Sequence, residues 1–185
     1  MAETKRRAVV LFDGSNFYYK MRDLKIGNLS NFDYRGLSEW LARDRELVAV
    51  GYYIGVVRAQ LNDVKGQKLR WAQRNLFNRL NAQKVDVHKG YLMKNDGVYH
   101  EKGVDVKIAT DLLVGAYENL YDDAIVISSD TDLIPAFSKV KQLGKGVEYI
   151  GFGHQPTLAL QKFSTISRLL VLDELKKFCT EENKK

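Results

Sequence analysis

Two short apolar runs, Ala8 to Phe12 (AVVLF) and Ala124 to Ser128 (AIVIS), constrain the fold of this chain more than any other feature. A strand open to water on one face alternates apolar and polar residues. A strand covered on both faces reads as an unbroken apolar stretch instead. Each run is followed by a stretch with helical periodicity, so the two belong in a parallel sheet with helices on both faces. The rest of the pattern agrees. Leu47 to Val57 is rich in β-branched and aromatic residues and predicts another strand. Lys84 to Met93 predicts a third, and Asn95-Asp96-Gly97 turns the chain back through Val98, Tyr99 and His100 as a hairpin. Val147 to Gly151 predicts a further strand and Leu169 to Leu172 an edge strand. Helices are expected over Phe17 to Leu24, after Asn31-Phe32-Asp33, over Asp63 to Ala82, over Val104 to Leu120, and from Asp130 to near Gly144. A short helix should follow Pro156, and another runs from Asp173 to Cys179. The expected fold class is α/β, with a central mostly parallel sheet between two helical layers.

The 185 residues fit a single domain spanning 1–185, with a helical C-terminal segment at 156–180. Lys and Arg number 29 against 23 Asp and Glu, a net charge of +6 that favours polyanionic partners without requiring one. The lone cysteine, Cys179, cannot form an internal disulfide, and the histidines (His88, His100, His154) are too dispersed for a zinc site. The apolar run after Arg7 is too short for a signal peptide, and no later run could span a membrane. A cytoplasmic protein without a membrane partner is the expectation.

The placement of the carboxylates carries the chemistry. Asp13 directly follows the first buried run, and Asp130 follows the second by one residue. In open α/β sheets ligands bind outside the carboxyl ends of the strands, so both are candidates for one site. Asp132 stands at the start of the next helix, and Asp105 in the first turn of the helix after Gly103. Carboxylates so gathered repel one another unless a cation lies between them. Hard divalent ions such as Mg²⁺ and Mn²⁺ take oxygen ligands and leave positions for water and phosphate, which suits phosphoryl transfer. Each aspartate also has a plainer role. Aspartate is a preferred N-cap, favoured by the helix dipole, and Ser129-Asp130-Thr131-Asp132 resembles a capping box. Asp13 fits capping least well, because a carboxylate ending a buried strand is costly. Asn16 is either an ordinary first-turn residue or an amide orienting Asp13. Asp111 lies on a different helix face from Asp105 and suits a salt bridge or a supporting role better than ligation.

The segments VVLFDGSN, EKGVDVKIATDLL and AIVISSDTDLIPAF resemble, in order and spacing, the three signatures of NYN domains. They are most similar to those of the LabA-like bacterial branch of the PIN-like nuclease superfamily. The resemblance covers roughly residues 7–151. It implies a PIN-like sheet and a metal-dependent ribonuclease using Mg²⁺ or Mn²⁺. It also implies that Asp13, Asp105, Asp130 and Asp132 form a catalytic and metal-binding set supported by Asn16, Ser129 and Asp111. Ser129 stands where many members carry glycine, a mild departure. RNA is the implied partner, with DNA an alternative.

The basic residues then acquire a use. Arg58, Lys65, Lys68 and Lys102 are candidate phosphate contacts, with Arg70, Arg74 and Arg79 further along the same helix. Tyr18, Tyr19, Tyr52, Tyr53 and Trp71 are candidate base-stacking groups. The plainer alternatives are a solvated helix face and core aromatics. Three functions compete. The first is a ribonuclease. The second is an RNA-binding regulatory module with an acidic pocket and little or no catalysis. The third is an aspartate-nucleophile phosphatase, disfavoured because Ser15 stands where such enzymes carry a second aspartate. The Leu169 to Leu172 edge could also pair two copies as a homodimer.

Overall fold

The computed structural model of the chain describes residues 4–27, 29–57, 62–95 and 98–179. The first apolar run is strand β1 (Arg7–Asp13), which passes without a loop into helix α1 (Gly14–Asp23). The helix starts three residues earlier than its periodicity predicts, because the Asp13 carboxylate accepts the Asn16 backbone N–H at 3.0 Å and caps it. Helix α2 (Tyr34–Ala42), capped by Asp33, precedes strand β2 (Glu46–Val56), and helix α3 (Val64–Ala82) is capped by Asp63. Strands β3 (Asp86–Asn95) and β4 (Val98–Lys102) form the expected antiparallel hairpin, although residues 96–97 of its turn lie outside the described residues. Helix α4 (Val104–Tyr117), strand β5 (Asp123–Ile127), helix α5 (Ile134–Gln142) and strand β6 (Gly146–Phe152) follow. Helix α6 (Leu158–Phe163), strand β7 (Ile166–Leu170) and helix α7 (Leu172–Leu175) complete the order. The edge strand lies earlier than Leu169 to Leu172, because Ile166 to Leu170 pairs in register with Glu148 to Phe152.

The seven strands are ordered β4-β3-β2-β1-β5-β6-β7, and every pairing except β3 with β4 is parallel. This is the predicted α/β class. From β1 the chain winds one way through β2 and β3 and the other way through β5 and β6. The switch between β1 and β5 opens a crevice at their carboxyl ends.

Strand alternation sorts the core onto two faces. Ala8, Val10 and Phe12 of β1 pack under α1, α2, α3 and α7 with Phe17, Leu37, Leu80 and Leu175. Val9 and Leu11 pack under α4, α5 and α6 with Ile108, Phe137 and Leu160. Phe12 meets Phe17 and Tyr34 edge-on at ring distances of 5.5 and 5.6 Å, and Tyr34 meets Tyr52 at 5.3 Å. Such edge-to-face pairs contribute about 0.5–1.5 kcal/mol each beyond their buried area.

Gly14 marks where β1 and α1 come closest to β2. A Cβ there would lie 2.7 Å from the Tyr53 carbonyl and closer still to the Tyr52 ring. Backbone cannot yield to it. Gly14→Ala is therefore expected to cost about 1–3 kcal/mol, the usual penalty of overpacking, and to lower the thermal midpoint by several degrees. A melting curve unchanged from that of the parent would contradict this packing.

Candidate active site

Asp13 is the best-defined member of the site. It ends β1 on the face shared by Val9 and Leu11 and is 5% exposed. Its Oδ1 caps α1 through Asn16, and its Oδ2 accepts the Ser128 hydroxyl at 2.8 Å. Ser128 follows β5, so this bond ties the two central strands at the switch point. The Ser128 Oγ in turn accepts the Asp130 N–H at 3.0 Å. Burial pushes the Asp13 carboxyl up to about 6. The two hydrogen bonds hold it down, while the charges of Asp105 and Glu101 raise it further.

Asp105 enters from α4, whose start is set by Gly103 in the left-handed conformation, φ 80°. It is half-buried, and its carboxyl is raised by burial and then by the charges of Asp130, Glu101 and Asp132. Asp130 accepts the Asp132 N–H at 2.8 Å and caps the 3-10 turn Thr131–Leu133; Asp132 itself is exposed in that turn. The cap is thus Asp130 and not Ser129. The expected capping box does not form, because Ser129 Oγ is buried without a hydrogen-bond partner.

The fold adds one residue that no sequence signal singled out. Glu101 stands on β4, its Oε1 accepts the Gly55 N–H, and its charge raises both Asp13 and Asp105. Antiparallel pairing of β4 on β3, opposite Leu92, aims it across β2 towards the cleft. Only the hairpin register decides that direction, although the turn at Asn95-Asp96-Gly97 hinted at the hairpin.

Asp111 faces elsewhere. It accepts the Tyr53 hydroxyl at 2.9 Å and the Lys107 ammonium at 2.6 Å, with His88 Nδ1 at 3.4 Å. The expected salt bridge is present, but its contacts lie with this separate group. Lys65, Lys68 and Lys102 are exposed, and Arg58 lies outside the described residues. Tyr52 and Tyr53 are buried at 1% and 2% exposure, which removes them as stacking groups; Tyr18 and Tyr19 are open at 48% and 53%, and Trp71 at 69%.

The charges of Asp105 and Glu101 raise Asp13, and those of Asp130, Glu101 and Asp132 raise Asp105, so the five carboxylates lie within electrostatic reach of one another. Yet among the described residues no group of three or more His, Cys, Asp or Glu is arranged to hold a metal ion. Capping bonds hold Asp13 against α1 and Asp130 against the 3-10 turn that follows it. The donor set still fits a hard divalent cation. It is made of carboxylate oxygens with neither thiol nor imidazole among them, and beside it the Asn16 Oδ1 is buried without a partner.

A solved structure of a protein of unknown function from Vibrio parahaemolyticus shares the fold. The TM-score is 0.61 at 22% identity, covering 94% of this chain and 97% of that one. No curated protein matches the chain. The family model for the NYN domain matches residues 7–167, beyond the three motifs and on through β6 into β7. NYN and PIN-like domains are generally nucleases, which supports hydrolase chemistry at that coarse level, and they typically use divalent metals. A match running from the first central strand to the far edge of the sheet shows that the chain belongs to the NYN domain family.

Proposed function

We propose that the chain hydrolyses phosphodiester bonds of RNA in the cleft beyond β1 and β5, with Mg²⁺ or Mn²⁺ held among Asp13, Asp105, Asp130 and Asp132. The observation that supports this most is the convergence of carboxylates from four separate elements. They come from the end of β1, from β4, from the first turn of α4 and from the turn after β5, and the charges of the others oppose the ionisation of Asp13 and Asp105. Retaining such repulsion costs stability, which a site that binds a cation recovers. Bound there, the cation would supply Lewis-acid activation of water and neutralise charge on the phosphate.

The residues themselves do the positioning. Ser128 and the Asn16 N–H fix both oxygens of Asp13, leaving its remaining lone pairs for ligation. Asp130 is steadied from behind by its own N–H on Ser128 Oγ. Glu101, anchored on the Gly55 N–H, is the carboxylate of the group outside the proposed ligand set, and its role in this reading is to accept a proton from the attacking water.

Purified protein should cleave RNA only with added Mg²⁺ or Mn²⁺, and a chelator should stop it. The pH profile follows from Asp13. Its carboxyl is raised to about 6, so at low metal concentration the rate should climb between about pH 5 and 7 as the ligand ionises. Raising the metal concentration should move that midpoint downward, because cation and proton compete for one carboxylate. A profile indifferent to metal concentration would remove Asp13 from the ligand set. RNA binding without cleavage under any metal would favour the regulatory-module alternative.

A further inference from the structure

On the other side of the sheet rim from Asp13 a cavity of about 860 Å³ opens between α1 and α3. We infer that it seats an unpaired nucleobase of the RNA strand whose backbone crosses the acidic cleft, an inference that rests on the nuclease reading above. Its floor is made of the rings of Tyr34 and Tyr52, and its opposed walls carry Tyr18 and Trp71. The floor hydroxyls are already committed, Tyr34 to the Leu29 carbonyl at 3.1 Å and Tyr52 to the Gly14 carbonyl at 3.2 Å. At 0% and 1% exposure the two rings close the bottom of the cavity and leave the contact with a ligand to its walls. Tyr18 and Trp71 instead leave 48% and 69% of their surface in water, an unusual exposure for an indole. Two exposed rings on the lining of one cavity suit a flat π-system, and the volume is that of a ligand pocket. Asn75 and Asn78 on the same lining can read base edges through their amides.

Charge decides which flat ligand fits. Helix α3 carries Lys65, Lys68, Arg70, Arg74 and Arg79 and no acidic residue between Val64 and Ala82. Of these Arg79 lines the cavity, and the others spread around the same helix. A neutral aromatic metabolite has no use for so basic a helix, whereas a nucleotide strand, whose phosphates run on beyond the base, does. Geometry joins the cavity to the cleft. Gly55 of β2 gives its N–H to Glu101 in the cleft, and its carbonyl accepts Gln73 Nε2 of α3 at 2.8 Å. Gln73 Oε1 accepts the Val57 N–H at 3.0 Å, which fixes the Trp71 wall against the end of β2. Tyr52 makes the second link, through the carbonyl of the residue after Asp13. Base and scissile phosphate are thereby held by neighbouring atoms of one strand end. A base inside a duplex cannot enter, so the substrate is RNA unpaired at the cleavage point.

The test uses the full chain carrying Asp13→Asn, so that RNA stays intact, with tryptophan fluorescence as the readout. An unstructured single-stranded RNA should quench Trp71, whereas the same RNA in a perfect duplex and inorganic polyphosphate should not. Trp71→Ala should abolish the quenching. It and Tyr18→Ala should each weaken single-strand binding about tenfold or more, read by anisotropy of a labelled oligonucleotide. Equal quenching by polyphosphate, binding undiminished in both variants, or failure to bind RNA at low salt would overturn the inference. The two readings fail separately. Quenching by a protein that never cleaves RNA would sink the nuclease reading alone. Cleavage with an unchanged KM in Trp71→Ala would sink the pocket alone.

Discussion

Asp13→Asn should abolish RNA cleavage, lowering the rate at least about 100-fold, and at the same time make the protein harder to unfold. Even groups that merely orient a metal ligand are typically worth 10–100-fold, so loss of a ligand should cost no less. The gain in stability follows from linkage. The carboxyl is raised from 3.8 to about 6 in the folded state, so the folded protein holds the proton more tightly than the unfolded chain does. Ionising it therefore destabilises the fold. The penalty is absent below about pH 4, grows as pH rises to 6, and is fully present above that, at roughly 3 kcal/mol. The amide is isosteric and neutral. Its oxygen can keep the Asn16 N–H, and its NH₂ can donate to Ser128 Oγ once that hydroxyl rotates. Thermal melts of the two proteins should therefore coincide near pH 4 and separate by several degrees at pH 8, with the variant higher. An inactive variant that melts lower at pH 8 would mean that the carboxylate is structural.

Glu148→Ala should be the most destabilising single change at the opposite end of the sheet. Glu148 lies on β6 at 2% exposure, and its Oε2 receives Arg45 at 2.6 Å, with the Arg45 side chain 12% exposed. Arg43 approaches the other oxygen only to 3.7 Å, and Oε1 has no hydrogen-bond partner. Removing Glu148 leaves the largely buried Arg45 with two backbone carbonyls and with Asp123 no nearer than 3.8 Å. Breaking such a pair typically costs about 3–5 kcal/mol, a fall of roughly 10 °C for a chain of this size. The pair itself is replaceable. The double variant Arg45→Met with Glu148→Leu should recover most of the loss, because two apolar groups strand no charge. Cleavage should survive in both at temperatures where they are folded, since Glu148 lies near the amino end of β6 and the cleft lies at the carboxyl ends. A double variant no more stable than Glu148→Ala would show that the pair also sets the local backbone.

Much of the architecture was legible because it rests on local chemistry. AVVLF and AIVIS announce strands with no polar face, and they became the central pair β1 and β5. Asp33 and Asp63 cap α2 and α3 as short acidic side chains do wherever a helix begins. Boundaries shifted where a single long-range contact intervened. The early start of α1 depends on Asp13, and the place of β7 depends on its pairing with β6. Asp13 also shows that capping a helix does not take a carboxylate away from its acidic neighbours. One oxygen caps α1 while the carboxylate still faces the cleft.

The sequence by itself determined that two buried strands carry aspartates, one at its last residue and one shortly after its end, and that the sheet they belong to is open and mostly parallel. It also determined, through three ordered motifs, membership of the NYN family. Only the tertiary structure decided that Ser128 would grip Asp13, that Glu101 would reach the cleft from the hairpin, and that Asp111 would turn to Tyr53 and Lys107 instead. It alone left Trp71 in water while burying Tyr52 beneath it. The reason is physical. Periodicity and capping are written in neighbouring residues, whereas the direction of a side chain across a sheet depends on registers set by partners a hundred residues away.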